Sequence, residues 1–317
     1  MKPPASGFRP SRSHLLLVVL LMVAVYVILP QLGDFRASWQ LLRHPTAAWT
    51  VLAVLLSLLT YLLAAATYYL LAFKPLRYGP TVLVQAAATF INRLLPGGLG
   101  ALGANYAYLR HERHTVVQAA SVTAINNIIG ALGHGLLAAA CLMFFPSRVI
   151  PTSISYSSRL GLLVGFIAIG LIMLGVLALI FGKQKFVDKV TETRQQVLSY
   201  RHRPGRLAVA LVTSVLLTTA NVLCLLCCAL ALGVQLPFAA VLLVLSFGVG
   251  AGTFIPTPGG LGGFEAGLVA GFIAYDVSGA TALAAALLFR LVSYWLPLAI
   301  GALALVAAGR RQLFTPR

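Results

Sequence analysis

Long apolar runs separated by short polar segments make up most of this chain. Six of the runs are long enough to cross a bilayer core of about 30 Å as helices. They cover residues 14–32, 48–73, 116–145, 160–181, 207–232 and 280–308. Two more apolar regions, 81–109 and 237–275, are each divided near the middle by proline and glycine. The pattern predicts an all-α polytopic membrane protein.

The two divided regions carry the same pentapeptide, Pro96-Gly-Gly-Leu-Gly100 and Pro258-Gly-Gly-Leu-Gly262. No continuous helix tolerates this sequence, because proline lacks an N–H group and clashes with the preceding turn. The arm after the first break, 99–109, rises only about 16 Å at 1.5 Å per residue, half of the hydrocarbon core. Each divided region is therefore predicted to form a re-entrant helical hairpin.

The pentapeptides lie 162 residues apart, and the same offset superimposes the spans on either side of them. Outside the pentapeptide the match is one of hydropathy pattern and not of identity. It predicts two repeats, each a helix, a hairpin and a helix. The predicted units are a basic tail with the first span (1–47), repeat one (48–145), a linking span (160–182), a basic segment (183–206) and repeat two (207–308). The basic segment is either an amphipathic interfacial helix or a solvated loop.

Charge decides the predicted topology. The chain is 60% hydrophobic with a mean hydropathy of +0.94, and 23 Lys and Arg against six acids give a net charge of +17. If both divided regions form hairpins and the N-terminus of the chain is cytoplasmic, 17 of the 23 basic residues lie on the cytoplasmic side. Broken spanning helices would instead expose seven basic residues of 183–206 outside, against the positive-inside rule. We therefore expect cytoplasmic termini and an inverted pair of hairpins whose tips meet near the midplane.

Five polar side chains are predicted to share that midplane layer. Arg290 lies about ten residues into its span, about 15 Å deep, where an arginine costs roughly 3 kcal/mol on insertion scales. Glu265 and Arg93 lie near the tips of the second and first hairpins, and Asn126 and Asn127 about 17 Å into their span. Ionisable residues at such depth usually face a partner or a cavity.

We interpret this layer as a binding site for a lipid phosphate. Arg93, Arg290 and the N–H groups at the starts of the second hairpin arms would hold the phosphate, while Glu265 pairs with Arg290 or with a substrate amine. The glycines concerned are Gly97, Gly98, Gly259, Gly260 and Gly262. Each group also has a structural alternative. Glu265 and Arg290 could form an ion pair that only holds the last span to the hairpin, and the glycines could only allow close packing. The two asparagines could only form hydrogen bonds between helices.

Other chemistry is not indicated. The sequence lacks a nucleophile elbow, a Walker loop, an HExxH motif and paired carboxylates, so we expect neither an enzyme nor a metal or other cofactor. The four cysteines are interpreted as small buried residues, and His111 and His114 as part of a solvated turn. The basic excess indicates anionic lipid headgroups and not nucleic acid, because no aromatic side chains interleave with it.

Three motifs carry a family resemblance: Asn92-Arg-Leu-Leu-Pro-Gly-Gly-Leu-Gly100, Pro258-Gly-Gly-Leu-Gly-Gly-Phe-Glu265 and Ala284-Ala-Ala-Leu-Leu-Phe-Arg290-Leu-Val-Ser-Tyr-Trp-Leu-Pro297. The chain resembles the transmembrane domain of lysylphosphatidylglycerol synthase, a flippase-like family that includes the N-terminal part of the multiple peptide resistance factor. The resemblance implies a bacterial or archaeal inner-membrane protein that handles phospholipid or polyprenyl-type lipids. In it, Glu265 and Arg290 occupy the acid and arginine positions of the family.

Two departures accompany the resemblance. Asn126-Asn127 stand where the first half of the family usually carries an acid or an arginine, and no soluble aminoacyl-transferase domain follows in the sequence. We therefore expect a lipid flippase-like transporter without aminoacyl-lipid synthesis of its own. The rivals are a membrane subunit of a lipid-modifying aminoacyl- or glycosyltransferase system, a proton-coupled solute carrier using Glu265, and a scaffold. A lipid-modifying enzyme partner and a homo-oligomer both stay open.

Overall fold

The computed structural model describes residues 32–95, 99–144, 200, 203–254 and 257–315, and their regular structure is helical. The helices are α1 (Leu32–Leu42), α2 (Ala47–Leu71), α3 (Tyr78–Leu94), α4 (Leu99–His111), α5 (Val116–Phe144), α6 (Pro204–Ala231), α7 (Phe238–Phe254), α8 (Gly263–Ile273), α9 (Gly279–Arg290) and α10 (Leu296–Arg310). The predicted first span, the linking span and most of the basic segment lie outside the described residues.

Four helical stretches are long and apolar enough to cross a membrane. They are α2, α5, α6 and the continuous stretch Gly279–Arg310 formed by α9 and α10. Each begins and ends within three residues of the predicted span. Large apolar side chains such as Leu55, Leu132 and Val212 are exposed on them. A hydrocarbon environment accounts for such faces, since apolar side chains are favourable there and a regular helix bonds its backbone groups internally.

Between these long helices lie two pairs of short ones, α3 with α4 and α7 with α8. Glycine allows the close contact within each pair. A Cβ atom on Gly100 would lie 2.6 Å from Asn92 Cα, and one on Gly267 would lie 2.9 Å from Gly248 Cα. Both distances are below normal carbon–carbon contact. At these two positions glycine therefore has a packing role.

The turn between α7 and α8 is irregular. Pro258–Gly260 forms a single 3₁₀ turn, and Gly259, Gly260 and Gly262 have φ of 64°, 67° and 86°. Only glycine adopts positive φ without a steric penalty, so the pentapeptide is needed here for backbone conformation.

The two halves of the chain pack against each other, because helices of the first half contact helices of the second half. Helix α2 packs along α6, and α3 packs along α10, where a Cβ atom on Gly301 would lie only 2.7 Å from Ala86 O. The end of α3 also contacts the turn Pro258–Gly260. One buried cluster is formed mainly by α6 to α9 and the other mainly by α2 to α5 with α10. The break of the second helix pair therefore meets the first pair.

The turn between α4 and α5 differs from the prediction. His111 and His114 are 3% and 1% exposed, so they are buried and not solvated. His114 accepts the backbone N–H of Lys74 at Nε2 and contacts Leu109 O through Nδ1, both at 3.1 Å. Because a carbonyl oxygen can only accept, Nδ1 is the protonated nitrogen. The neutral ring thus joins two chain segments.

Candidate functional site

Arg93 and Arg290 share one aromatic ring. Arg93 lies in the last turn of α3 and Arg290 ends α9. Their guanidinium carbons lie 4.4 Å and 4.2 Å from the ring centroid of Tyr294. Planar guanidinium groups are attracted to aromatic faces at this distance. The ring joins a cation of the first half of the chain to a cation of the second half.

Glu265 pairs with one of these cations. It occupies the third position of α8, and its Oε2 accepts the Gly262 N–H at 2.8 Å. This is one of the two hydrogen bonds of a capping box; glycine at the N-cap has no side chain to make the other. Its Oε1 accepts a hydrogen bond from Arg290 Nε in a largely buried ion pair. Arg290 Nη2 also donates to Gly259 O at 3.1 Å. Arg290 therefore fastens the irregular turn to the last long helix.

The last long helix changes its hydrogen bonding next to Arg290. Residues Leu291–Trp295 form a π turn, in which Leu296 N–H donates to Leu291 O, five residues earlier. Pro297 follows and has no N–H to offer Ser293 O, its normal helical partner. Such π turns occur often at functional sites. The combination leaves backbone carbonyl groups available in the middle of an apolar helix.

Side chains from other helices bond to these carbonyl groups. Arg93 donates through Nη1 to Tyr294 O and through Nη2 to Ser293 O. The Ser57 hydroxyl on α2 donates to Val292 O at 3.1 Å. The π turn is therefore held by both α2 and α3. A backbone irregularity in an apolar helix is tolerated when neighbouring groups satisfy its carbonyls in this way.

Charges do not balance in the charged cluster, by which we mean Arg93, Glu265, Arg290 and Tyr294. Two guanidinium groups stand against one carboxylate, and Glu265–Arg290 is the single ion pair within the described ranges. The other acids with described side chains, Glu112 and Asp276, lie at helix ends away from it. One positive charge is left without a carboxylate of the described chain.

A polar cavity adjoins the unpaired cation. Its volume is about 220 Å³. Its walls come from α2, α3, α6 and the region of the π turn and Pro297. The lining residues are Ser57, Thr60, Tyr61, Ala64, Gln85, Thr89, Arg93, Leu217, Asn221, Ser293 and Pro297. Arg93 is thus shared between the charged cluster and this polar cavity.

The structure brings together only part of the predicted layer. Arg93, Arg290, Glu265 and Gly259 meet, whereas Asn126 and Asn127 on α5 do not line the cavity, and Asn127 is exposed. Gly97 and Gly98 lie outside the described residues.

The glycine N–H groups of the second turn have partners within the chain. Gly260 N–H donates to Thr257 O at 3.0 Å, and Gly262 N–H donates to Glu265. In this conformation the Arg93 guanidinium lines the polar cavity, whereas Gly260 and Gly262 do not.

Sequence reasoning missed Tyr294, Tyr61 and Asn221. For Tyr294 a signal exists, since it follows Arg290 by four residues and therefore lies one helical turn away on the same face. Pro297 likewise marks an interrupted helix. Tyr61 and Asn221 stand singly within long apolar spans, where nothing in the local pattern separates a cavity wall from a helix contact.

The long apolar helices and the partly buried charged cluster define a polytopic α-helical membrane protein. The family model described as the lysylphosphatidylglycerol synthase TM region matches residues 15–301, and the chain belongs to this family. The predicted family resemblance is therefore confirmed. A curated relative is the UPF0104 membrane protein PH1989 of Pyrococcus horikoshii, 31% identical over 131 residues. That match covers 41% of this chain and 39% of the relative, so it spans less than half of either protein.

Proposed function

We propose that this protein is a lipid flippase-like transporter. It moves the polar headgroup of a phospholipid or polyprenyl-type lipid between leaflets through the polar cavity, while the acyl chains stay in the bilayer. The observation that carries the proposal is the unbalanced charged cluster, formed where the ends of both short helix pairs meet beside a polar cavity. A cation without a carboxylate partner among the described residues, lying between apolar helices, favours an anionic ligand such as a lipid phosphate.

The proposed topology is a pair of inverted repeats in the cell inner membrane, with both termini cytoplasmic. The helix order supports it, because a long helix, two short helices and a long helix follow one another twice. Helix α8 has 11 residues and rises about 16 Å, too short to cross a core of about 30 Å. The contact of α3 with the turn Pro258–Gly260 supports hairpin tips that meet inside the membrane.

In the proposed cycle, Arg93 and Arg290 attract the phosphate and Glu265 holds Arg290 against the turn. Both carboxylate oxygens of Glu265 are already engaged by Arg290 and Gly262. This arrangement favours a positioning role for Glu265 over direct contact with a substrate amine. The two halves would then rock about the charged cluster to expose the cavity to each leaflet in turn.

A second function is favoured by the description of the family, which names a synthase. The chain would then be the membrane component of a lipid-modifying system, presenting the lipid to a transferase partner. That function requires lipid binding in the polar cavity but no movement of lipid by the purified chain alone.

A reconstitution assay separates the two functions. The purified chain in liposomes should move headgroup-labelled phospholipid between leaflets, and Glu265→Gln and Arg290→Ala should each lose most of this transport while still inserting. Glu112→Gln, a charge change outside the charged cluster, is the matched control and should transport normally. Absence of transport by the wild type would favour the synthase component. Unchanged rates in both variants would remove these residues from the mechanism.

A further inference from the structure

We propose that His134 is a proton-binding site that holds the two halves of the chain together, and that protonation of its ring lets them separate. The inference rests on the proposed transport function and adds to it the regulation of the rocking step. It concerns the contact between α5 and α7, which takes no part in the charged cluster or in the lining of the polar cavity.

His134 and Ser246 form a hydrogen bond between the first and second halves of the chain. Nε2 of the ring lies 3.0 Å from the Ser246 hydroxyl oxygen. Ser246 is the central residue of α7, and His134 lies four residues past the middle of α5, so both lie deep in apolar helices. Ser246 is buried and His134 is partly buried. Ionisable residues at this depth are rare and usually serve a function.

The hydrogen bonds around Ser246 determine which nitrogen of the neutral ring carries the proton. The Ser246 hydroxyl donates its one proton to Leu242 O at 2.8 Å. Its oxygen can therefore only accept from His134, so Nε2 is the protonated nitrogen. Nδ1 then keeps an unprotonated lone pair, and it has no hydrogen-bond partner among the described residues. Nδ1 is thus an available proton acceptor within the membrane layer.

No charge of the described chain would stabilise a protonated ring. The helices packed against α5 include α2, α4, α6 and α7, and α7 carries no titratable side chain. None of the titratable groups on the other helices acts electrostatically on His134. These groups are Tyr61, Tyr68 and Tyr69 on α2, Tyr106, Tyr108, Arg110 and His111 on α4, and Arg206, Cys224, Cys227 and Cys228 on α6, together with Cys141 on α5 itself. A proton on Nδ1 would therefore place an unpaired charge between apolar helices, which is unfavourable while the halves stay packed.

The repeat offset shows which other contact of the fold corresponds to this one. Subtracting 162 from the bounds of α10 (Leu296–Arg310) gives 134–148, which begins at His134. Adding 162 to the bounds of α3 (Tyr78–Leu94) gives 240–256, which is α7 within two residues. In the proposed inverted repeats, the contact of α5 with α7 is therefore the counterpart of the contact of α3 with α10.

The two corresponding contacts are not equally close. Helix α3 packs along α10, with a Cβ atom on Gly301 only 2.7 Å from Ala86 O, whereas α5 and α7 meet over a much shorter surface. Within the described residues, the hydrogen bond of His134 with Ser246 is the polar link of this looser contact. Rocking of the halves about the α3–α10 contact would therefore open the contact of α5 with α7, and this hydrogen bond resists the opening.

Protonation would release this hold. A proton from water binds the Nδ1 lone pair, and the resulting imidazolium prefers water or an anionic group to an apolar surface. Helices α5 and α7 then separate, and loss of the proton lets the neutral ring bind Ser246 again. Lipid movement is therefore expected to be faster in acid, through His134.

The pH profile of transport tests the proton site. The purified chain in liposomes, buffered at the same pH inside and outside, should move headgroup-labelled phospholipid about threefold faster or more at pH 5.5 than at pH 8. His134→Gln keeps an N–H donor for Ser246 but cannot titrate, so its rate should stay at the slow level. Acid unfolding would lower the wild-type rate and cannot imitate the expected rise. A flat wild-type profile, or the wild-type profile in His134→Gln, would overturn the inference.

Two further variants make the test specific. Ser246→Ala removes the acceptor and should move lipid at pH 8 at close to the acid rate of the wild type. His44→Gln changes an exposed histidine between α1 and α2 and should keep the wild-type profile. A Ser246→Ala variant as slow as the wild type at pH 8 would show that this contact does not hold the halves together.

A distance measurement in detergent is independent of transport. Spin labels on Met143→Cys, near the end of α5, and on Gln235→Cys, just before α7, would lie at exposed positions, and the four native cysteines are buried. We expect double electron–electron resonance to show a longer distance component at pH 5.5 that is absent in His134→Gln.

The outcome is separable from that of the proposed function. Equal distance distributions at both pH values in a protein that transports lipid would refute the proton site alone. The expected change in distance in a protein that moves no lipid would refute transport and leave the proton site standing.

Discussion

At the scale of the residue, Tyr294 has the central position in the charged cluster. Each guanidinium–ring contact of this kind contributes about 0.5–2 kcal/mol, with the higher value where water is excluded. The ring also blocks a side chain at position 259, since a Cβ atom there would lie 2.9 Å from Tyr294 Cζ. Tyr294 therefore constrains both arginines and the turn that Arg290 holds.

Replacing the ring should uncouple the two arginines. Tyr294→Ala removes both cation–ring contacts and is expected to slow lipid transport at least tenfold and lower the melting temperature. Tyr294→Phe keeps the ring face and should transport at close to the wild-type rate. Transport in liposomes and thermal unfolding in detergent are the measurements. Equal rates in the alanine and phenylalanine variants would show that the ring is not needed.

At the scale of the element, the interrupted last helix creates acceptor sites that a regular helix would not offer. Ser57 reaches Val292 O and Arg93 reaches Ser293 O because the π turn and Pro297 leave these two oxygens without their helical N–H partners. Arg93 also donates to Tyr294 O. The irregularity therefore has a structural use, since it lets α2 and α3 bind the last long helix by polar contacts.

Restoring the backbone N–H that Pro297 lacks tests whether the interruption of the helix matters for function. Pro297→Ala supplies an N–H group for Ser293 O in competition with Arg93. We expect transport to fall severalfold while the melting temperature stays the same or rises, because the helix becomes more regular. Wild-type transport by Pro297→Ala would contradict a functional role for the interruption. Pro237→Ala, at the start of α7 and outside the cavity, serves as the control.

The turn between α4 and α5 is expected to make the stability of the fold depend on pH, because it contains the buried His114. Burial lowers the pKa of His114, the charge of Lys74 lowers that pKa further, and backbone carbonyls and Glu112 act in the opposite direction. Protonation would also cost Nε2 its hydrogen bond from Lys74 N–H. The unfolded chain therefore binds the proton more readily, so stability falls as the pH drops below about 6.5.

The measurement is the melting temperature between pH 8 and pH 5. We expect a decrease towards pH 5 in the wild type and a flatter profile in His114→Gln, which removes the titrating group. The slope is bounded by about 1.4 kcal/mol per pH unit for one proton. A wild-type profile that is already flat would show that His114 is not coupled to folding.

At the scale of the whole molecule, the halves of the chain are interlocked. Helix α3 of the first half packs on α10 of the second, and α2 packs on α6. Neither half therefore completes the charged cluster alone. Any rocking between the halves has to slide along the close α3–α10 contact at Gly301, which places the moving surface beside the polar cavity.

Cysteine labelling tests the proposed topology. All four native cysteines are buried, so an impermeant maleimide should report mainly on introduced ones. In the inverted-repeat topology, Arg113→Cys reacts only from the cytoplasmic side and Asp276→Cys only from the outside. If each helix pair instead crossed the membrane as one broken helix, Arg113→Cys would react from the outside. Asp276→Cys, which is outside in both arrangements, is the internal control.

The sequence by itself determined the four described spans and the charged residues of interest. The limits of these spans agree within three residues because length and hydropathy are local properties that a bilayer imposes directly. The break at Pro258–Gly260 was predictable because proline and glycine act on their own backbone. Arg93, Glu265 and Arg290 could be predicted to meet because isolated charges are unfavourable among apolar helices.

Only the tertiary structure decided what surrounds those charges. The rotation of each helix about its axis depends on side-chain packing with neighbours far away in the sequence, and hydropathy carries little of that information when nearly every face is apolar. For this reason the sequence did not show that Tyr61 and Asn221 line the polar cavity and that Asn126 and Asn127 do not. The same packing of α3 on α10 brought Arg93 to Tyr294 and left that arginine without a carboxylate partner in the part of the chain that the structure describes.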